Sequence, residues 1–323
     1  MNRITSFIAA ATLAFGAASS AVADTFPSKP VRIIVPYSAG GPIDILARGL
    51  SPRLAKQWKD GVIIDNKPGG NEIVGASELV RSAPDGYTLL LGTDSVFSQN
   101  QFLFRKLPYD STTMVPVTRV ALANLVMFVR PDMPVSDMKE FVAYARANPG
   151  KVNYGSAGNG NITHLSMAAV EKKYNLQMTH VPYKGLAPLI QDMLGGSVQV
   201  AFGMGAVLDP YIKSGKVKAI AISGSQRAKV FPSVPTFAES GFPDVECSLN
   251  IGLFAPPGTP PAVVKSVADG MRKALLEPEF RAKFIDDVAY EMVASTPQEF
   301  ASFIVKDRPV QKARIEASGA RLD

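Results

Sequence analysis

The chain has 323 residues, 46% hydrophobic and 19% charged, with 34 Lys and Arg against 28 Asp and Glu for a net charge of +6. This is an ordinary globular composition with a mild basic excess. No Lys/Arg cluster and no interleaving of basic with aromatic residues points to nucleic acid, and a lone cysteine, Cys247, excludes an internal disulfide.

The first segment reads as an export signal. Arg3 is followed by an uncharged, mostly apolar run from Phe7 to Ala18, and Ala21-Val22-Ala23 has the A-x-A form of a cleavage site. Residues 1–23 are thus expected to be removed, leaving a 300-residue protein outside the cytoplasm, enough for two domains with a core each.

The mature part begins with VRIIVPYSAGGPIDI, Val31 to Ile45. An apolar β-branched run ends at Tyr37, passes through Ser38-Ala39-Gly40-Gly41 and turns helical at Pro42, with Ile43, Leu46, Ala47, Leu50, Leu54 and Trp58 forming one apolar stripe. Such a strand-to-helix junction leaves backbone N–H groups unpaired at the positive end of a helix dipole, a seat for a carboxylate or phosphate. The glycines allow close approach, and Asp44 in the first turn is expected to shape the loop. A short strand within Asp60–Asp65, the loop Asn66–Asn71, a helix over Ile73–Arg81 and a strand at Tyr87–Leu91 follow. The last opens into a third polar loop, Gly92-Thr93-Asp94-Ser95. Ligands of open α/β sheets sit at that edge, which makes Thr93 and Ser95 candidates.

Val115 to Arg130 reads as one long strand leaving the first domain, after which Ser136 is the expected N-cap of a helix carrying Met138, Phe141, Val142 and Ala145. A second junction of the first kind comes next. Val152-Asn153-Tyr154 is a strand, Gly155 to Gly160 a small polar loop, and the helix over Asn161–Tyr174 presents Leu165, Ala168 and Ala169 on one face. It offers Ser156, Ala157, Asn159, Asn161, Thr163 and His164 to a ligand. A strand at Met178–Val181, a helix at Leu186–Leu194 stopped by Gly195, and strands at Val198–Phe202 and Val217–Ile222 complete an alternating α/β pattern on a mostly parallel sheet.

Ser248–Ala255 is the return crossing. Thr259 is expected to cap a helix opened by Pro260 and Pro261, and Thr296-Pro297-Gln298-Glu299 is a capping box opening a final helix. The C-terminal part should have no sheet of its own and should pack on the first domain. Two crossings predict a hinge between lobe 1 (residues 24–124 and 251–323) and lobe 2 (residues 125–250), with function in the cleft.

The pieces KPVRIIVPYSAGGPID, APDGYTLLLGT, VNYGSAGNGNITHL, HVPYKG, SVPTFAESGFP and GLFAPPGTP together resemble the extracytoplasmic solute receptors of tripartite tricarboxylate transporters, the Bug family. That resemblance implies a periplasmic-binding-protein type II fold, two α/β lobes joined by two crossing strands with a ligand cleft between. It also implies a periplasmic location and a small carboxylate ligand delivered to a membrane permease. By position it puts ligand contacts on Tyr37–Asp44, on Gly92–Ser95, on Ser156–His164 and at Tyr183. Two departures stand out: the usual PGAGG is here Pro68-Gly69-Gly70-Asn71-Glu72, bringing in a carboxylate, and a tryptophan common on the return strand is Asn250.

Other readings are a hydrolase-like periplasmic enzyme and a ligand sensor feeding a membrane sensor kinase. For the first, Ser156 with His164 is a conceivable nucleophile and base, but there is no G-x-S-x-G elbow, no H-E-x-x-H and no complete phosphate loop. A monomeric receptor with no catalytic residue, no metal site and no cofactor is expected.

Overall fold

A computed structural model describes residues 26–245 and 247–322, so the expected export signal lies outside the described residues. The chain opens with β1 (Val31–Val35), α1 (Pro42–Ala55), β2 (Val62–Asn66), α2 (Ile73–Val80) and β3 (Thr88–Thr93). A π-helical turn over Ser95–Gln99 runs into the short α3 (Asn100–Leu103), and β4 (Val115–Ala123) follows. The second body comprises β5 (Leu125–Val129), α4 (Met138–Ala147), β6 (Val152–Ser156), α5 (Ile162–Lys173), β7 (Met178–Pro182), α6 (Leu186–Gly195), β8 (Val200–Met204), α7 (Gly205–Lys213) and β9 (Lys218–Ile222). The chain then returns through β10 (Leu249–Ala255), α8 (Pro261–Leu275), α9 (Pro278–Phe284), β11 (Tyr290–Met292) and α10 (Pro297–Ser318).

These strands form two sheets, ordered β11-β4-β10-β3-β1-β2 and β7-β6-β8-β5-β9. The first is parallel across β3-β1-β2 and antiparallel where β10 lies between β3 and β4. In the second, β6 is parallel to β7 and β8, while β5 is antiparallel to β8 and β9. β5 and β10 are buried along their whole length, β5 as an unbroken apolar run and β10 with Asn250 as its one polar residue. This is the expected two-lobed α/β architecture, and no helix among the described residues is long and apolar enough to cross a membrane.

Several local expectations change. The long strand expected over Val115–Arg130 is two strands in different sheets, broken at Asn124. There the backbone N–H donates to Ala289 O (3.3 Å) and the side-chain amide to Glu291 Oε1 (3.0 Å). Asp137, not Ser136, caps α4 by accepting from the Glu140 N–H; Ser136 donates to the Glu140 carboxylate instead. Thr259 does not cap α8: its hydroxyl donates to Pro256 O, and Pro260 holds the cap position. α6 runs through Gly195 and stops at Gly196, whose φ of 101° suits glycine. As expected, the C-terminal part forms no sheet of its own among the described residues; it adds one strand, β11, to the edge of the first sheet.

The expected capping box at α10 is present, with Thr296 and Glu299 each accepting the other's backbone N–H. α10 packs on the β4–β10 face of the first sheet through Phe300, whose ring meets Phe97 edge-on and Phe254 at a tilt. It also reaches the second body, where Ile315 and Ala320 join Leu103 and Leu165 of α5 in one apolar cluster. The Phe300 ring lies so close to β10 that a Cβ at Gly252 would stand 2.2 Å from its Cζ. Gly252→Ala is therefore expected to destabilise the fold by about 1–3 kcal/mol through overpacking, read as a lower urea midpoint at unchanged m-value.

Candidate functional site

The β1–α1 junction forms as its sequence dictates. Ser38, Ala39 and Gly40 are exposed, and Gly40 adopts φ 80°, a conformation that suits a residue without Cβ. Asp44 is 1% exposed and folds back on the loop: its carboxylate accepts from Gly40 N–H (2.8 Å), Arg48 Nε (2.8 Å) and Asn66 Nδ2 (2.9 Å). These donors hold its carboxyl below the usual range although burial opposes them. The carboxylate thus ties the loop, through Gly40, to Arg48 of α1 and to Asn66 at the end of β2. At the N-cap of α1 stands Gly41, in extended conformation and without a side chain to cap the helix.

The strand end expected to open as a polar loop after Gly92 is instead closed. β3 continues through Thr93 and passes at once into the π-helical turn, so that Thr93 is 0% and Ser95 6% exposed. The cause is Glu72, a buried carboxylate in left-handed conformation (φ 73°) at the start of α2. It accepts from the Tyr37 hydroxyl (2.6 Å), the Thr93 backbone N–H (3.0 Å) and the Thr93 hydroxyl. Burial pushes the Glu72 carboxyl up despite these donors, and pushes Tyr37, with the carboxylate beside it, well above its ordinary range. Tyr37, half-buried, thus joins the β1 loop to the end of β3, with its hydroxyl 3.2 Å from Thr93 Oγ1. The next residue, Asp94, faces β10 and accepts from the Asn250 backbone N–H (2.6 Å) and its Nδ2 (2.8 Å). Burial, with the Asp307 carboxylate nearby, raises the Asp94 carboxyl to about 8.

The β6–α5 junction differs from the first in being capped from within. Asn161 accepts from Thr163 N–H (3.0 Å), and the Thr163 hydroxyl accepts from Ala157 N–H (2.8 Å). Gly160 N–H donates to His164 Nδ1 (3.1 Å), which makes that imidazole an acceptor. Ser156 Oγ lies 2.7 Å from His180 Nε2, and the two histidine rings stack at 3.8 Å between centroids with Tyr154 next in the pile. Both histidines therefore brace the loop. Burial, with His180 as neighbour, lowers His164 to about 4, and burial lowers His180 as well. Asn159 is exposed, whereas Ser156, Thr163 and His164 are buried. The Tyr183 hydroxyl is turned away to Asp192 Oδ2 (2.7 Å), while its N–H donates to Ser156 O.

The two bodies meet beside these loops, since a Cβ on Gly160 would touch Leu103 of α3, a few residues beyond Ser95. Sequence reasoning missed the Ser156–His180 pairing. It follows from the register of β6 on β7, where Tyr154 faces His180, and no spacing along the chain carries that information. Ser156 is buried and also bonded to Gly158, so the pair is a brace rather than an exposed nucleophile. Among the described residues no group of three or more His, Cys, Asp or Glu is placed to hold a metal ion.

Two α/β lobes linked by two crossings, with glycine-bearing βα junctions in each, define a two-lobed solute-binding receptor of the periplasmic type II class. The chain belongs to the tripartite tricarboxylate transporter family of receptors, whose sequence profile matches residues 46–320. Protein BugT of Bordetella pertussis is 31% identical over 325 residues, covering 100% of this chain and 99% of its own. Among solved structures, Rpa4515 of R. palustris with adipate is 27% identical with a TM-score of 0.82, covering 92% of this chain and 100% of its own. MatC of Rhodopseudomonas palustris with bound malate is 28% identical with a TM-score of 0.77, covering 90% and 100%.

Two outcomes are expected at this site. Glu72→Ala leaves the Thr93 N–H unpaired and the Tyr37 and Thr93 hydroxyls with only each other, and should cost about 1–3 kcal/mol in urea unfolding, with Glu72→Gln losing less. The His164 value of about 4 lies below the unfolded 6.5, so its contribution to stability is present above pH 6.5 and is lost as pH falls towards 4. His164→Asn, which keeps an acceptor for Gly160, should lose less melting temperature than the parent between pH 6.5 and 4.5.

Proposed function

We propose that this protein is a periplasmic receptor that captures a small carboxylate and delivers it to a membrane permease of the tripartite tricarboxylate transporter type. The ligand is held without chemical change. The observation that carries the reading is the uncapped N-terminus of α1, with Gly41 at the cap and the exposed Ser38-Ala39-Gly40 beside it. A helix start without a side-chain cap presents unpaired N–H groups and the positive end of the dipole, a favourable place for an anion. The adipate and malate bound by its structural relatives support a carboxylate ligand, and the family supports the permease.

The two junctions contribute differently in this reading. The first-lobe seat supplies the backbone donors of the first turn beyond Pro42, those of Gly40 and Gly41 being bonded to Asp44 and Ser38, while the second-lobe loop, stiffened by Asn161, Thr163 and the histidine stack, supplies a preformed wall. Such a helix terminus is worth about 0.3–1 kcal/mol to an exposed anion and up to about 2 in a partly buried site. Exclusion of water on closure must supply much of the remaining affinity.

Malate, adipate and their neutral amide analogues are the probes. In a thermal-shift screen, acids should raise the melting temperature and amides should not; equal shifts from both would sink the anion seat. Gly41→Asp supplies an internal anion at the same place. It should stabilise the unliganded protein by up to about 1 kcal/mol while weakening the best acid about tenfold or more. Recovery of that acid unchanged and stoichiometric after long incubation separates a receptor from an enzyme.

A further inference from the structure

An open, shallow groove of about 550 Å³ runs between α5 of the second body and α10, which packs on the first sheet. Its floor is apolar and built of small side chains, Ala169 from α5 and Pro309, Val310, Ala313 and Ala317 from α10. Val310 is 42% exposed, and Ala313, almost one turn further on, is exposed as well. Leu165 and Ile315 pack the same two helices together, which fixes both walls.

The rim is cationic. Lys172, Lys173 and Arg314 line the groove, and among the described residues no acidic side chain does. These charges are only partly answered within the molecule. Lys173 meets Asp244 at 2.7 Å with both side chains exposed, Arg314 favours ionisation of the buried Asp94, and Lys172 makes no ion pair among the described residues. The acidic residues next to the lining in sequence are engaged elsewhere, Glu171 with the Met178 N–H and Glu316 with Lys312. Both lysines lie in the last turn of α5, where they suit its dipole, but a dipole calls for no exposed apolar floor alongside.

A trough between two helices with small residues at its base lets a third helix lie close, its apolar side chains on the floor and its flanks at the rim. The cations set the sign of those flanks, which must be acidic. A second copy presenting the same face brings the same cations and is repelled. A lipid surface suits the lysines, but interfacial helices enter it with Trp, Phe and Leu, and this floor offers only Ala, Val and Pro.

We propose that the α5–α10 groove is a docking surface for an acidic amphipathic helix of a partner protein, its apolar face on Val310 and the alanines and its carboxylates on Lys172, Lys173 and Arg314. One wall comes from each body, so the partner grips both lobes at once. No residue of the carboxylate seat takes part.

The probes are three hydrocarbon-stapled helices of about 15 residues, since unstapled ones of that length are only marginally helical. One carries a Leu/Ala face flanked by Glu, the second has Lys in place of Glu, and the third keeps the composition of the first with its apolar order scrambled. In fluorescence anisotropy with the mature protein the acidic helix should bind about tenfold more tightly than either control and weaken as salt is raised. Val310→Glu and Lys172→Glu, both at exposed helical positions, should each weaken it about tenfold with little change in melting temperature. Lys172→Arg should bind as the parent does, and Gly41→Asp should stay within twofold of it. The assignment is overturned if the acidic helix fails to bind at millimolar concentration or does no better than its controls, if binding survives both groove substitutions, or if Gly41→Asp abolishes it. Cosedimentation with phosphatidylglycerol vesicles that both groove substitutions abolish gives the face to a membrane and overturns it too.

Discussion

The structure depends on where the returning chain is inserted. β10 lies inside the first sheet, between β3 and β4 and antiparallel to both, and is buried from Leu249 to Ala255. A central strand contributed from so far along the chain leaves the first sheet incomplete until the chain returns from the second body. Such long-range pairing sets the contact order high and the folding rate correspondingly low. It also fixes two crossings side by side, one at Asn124 and one through Ser223 to Ser248. Ser223 and Leu125 exchange hydrogen bonds there (2.9 Å each) and both Ser223 and Ser248 reach Asn124.

Local patterns carried most of the elements. The apolar runs of β1, β3 and β5, the stripe of α1 and the capping box of α10 are all legible because each depends on residues within one or two turns. The break at Asn124 is not, since Val115 to Arg130 is nearly all apolar and the partners that divide it, Ala289 and Glu291, lie far along the chain. Of the candidate site, the local junctions were legible. The glycine-bearing junctions stand out in the sequence, and Glu72 and Asn250 stand out as departures from a resemblance. That Glu72 would close the end of β3 by gathering Tyr37 and Thr93 depends on a left-handed turn and on sheet neighbours. The His164–His180 stack likewise needs the β6–β7 register.

Charge is managed by burial in this molecule. Glu72 and Asp94 are carboxyls whose ordinary ionisation is opposed by their surroundings, and the two histidines are bases whose protonation burial opposes. Asp94 acts against the histidines: a carboxyl raised above its unfolded value favours the fold at low pH and loses that contribution as pH rises towards 8. The exposed β1 loop, in contrast, keeps its negative group, Asp44, fully paired with Gly40, Arg48 and Asn66.

α10 binds the two bodies together through grease. Leu103, Leu165, Ile315 and Ala320 form a dry seam across them, and any swing that parts the lobes on this side must wet it. Wetting apolar surface raises heat capacity, and the force resisting it fades on cooling. A motion that parted the lobes here would therefore carry its own curvature with temperature, and on chilling the seam would oppose it less.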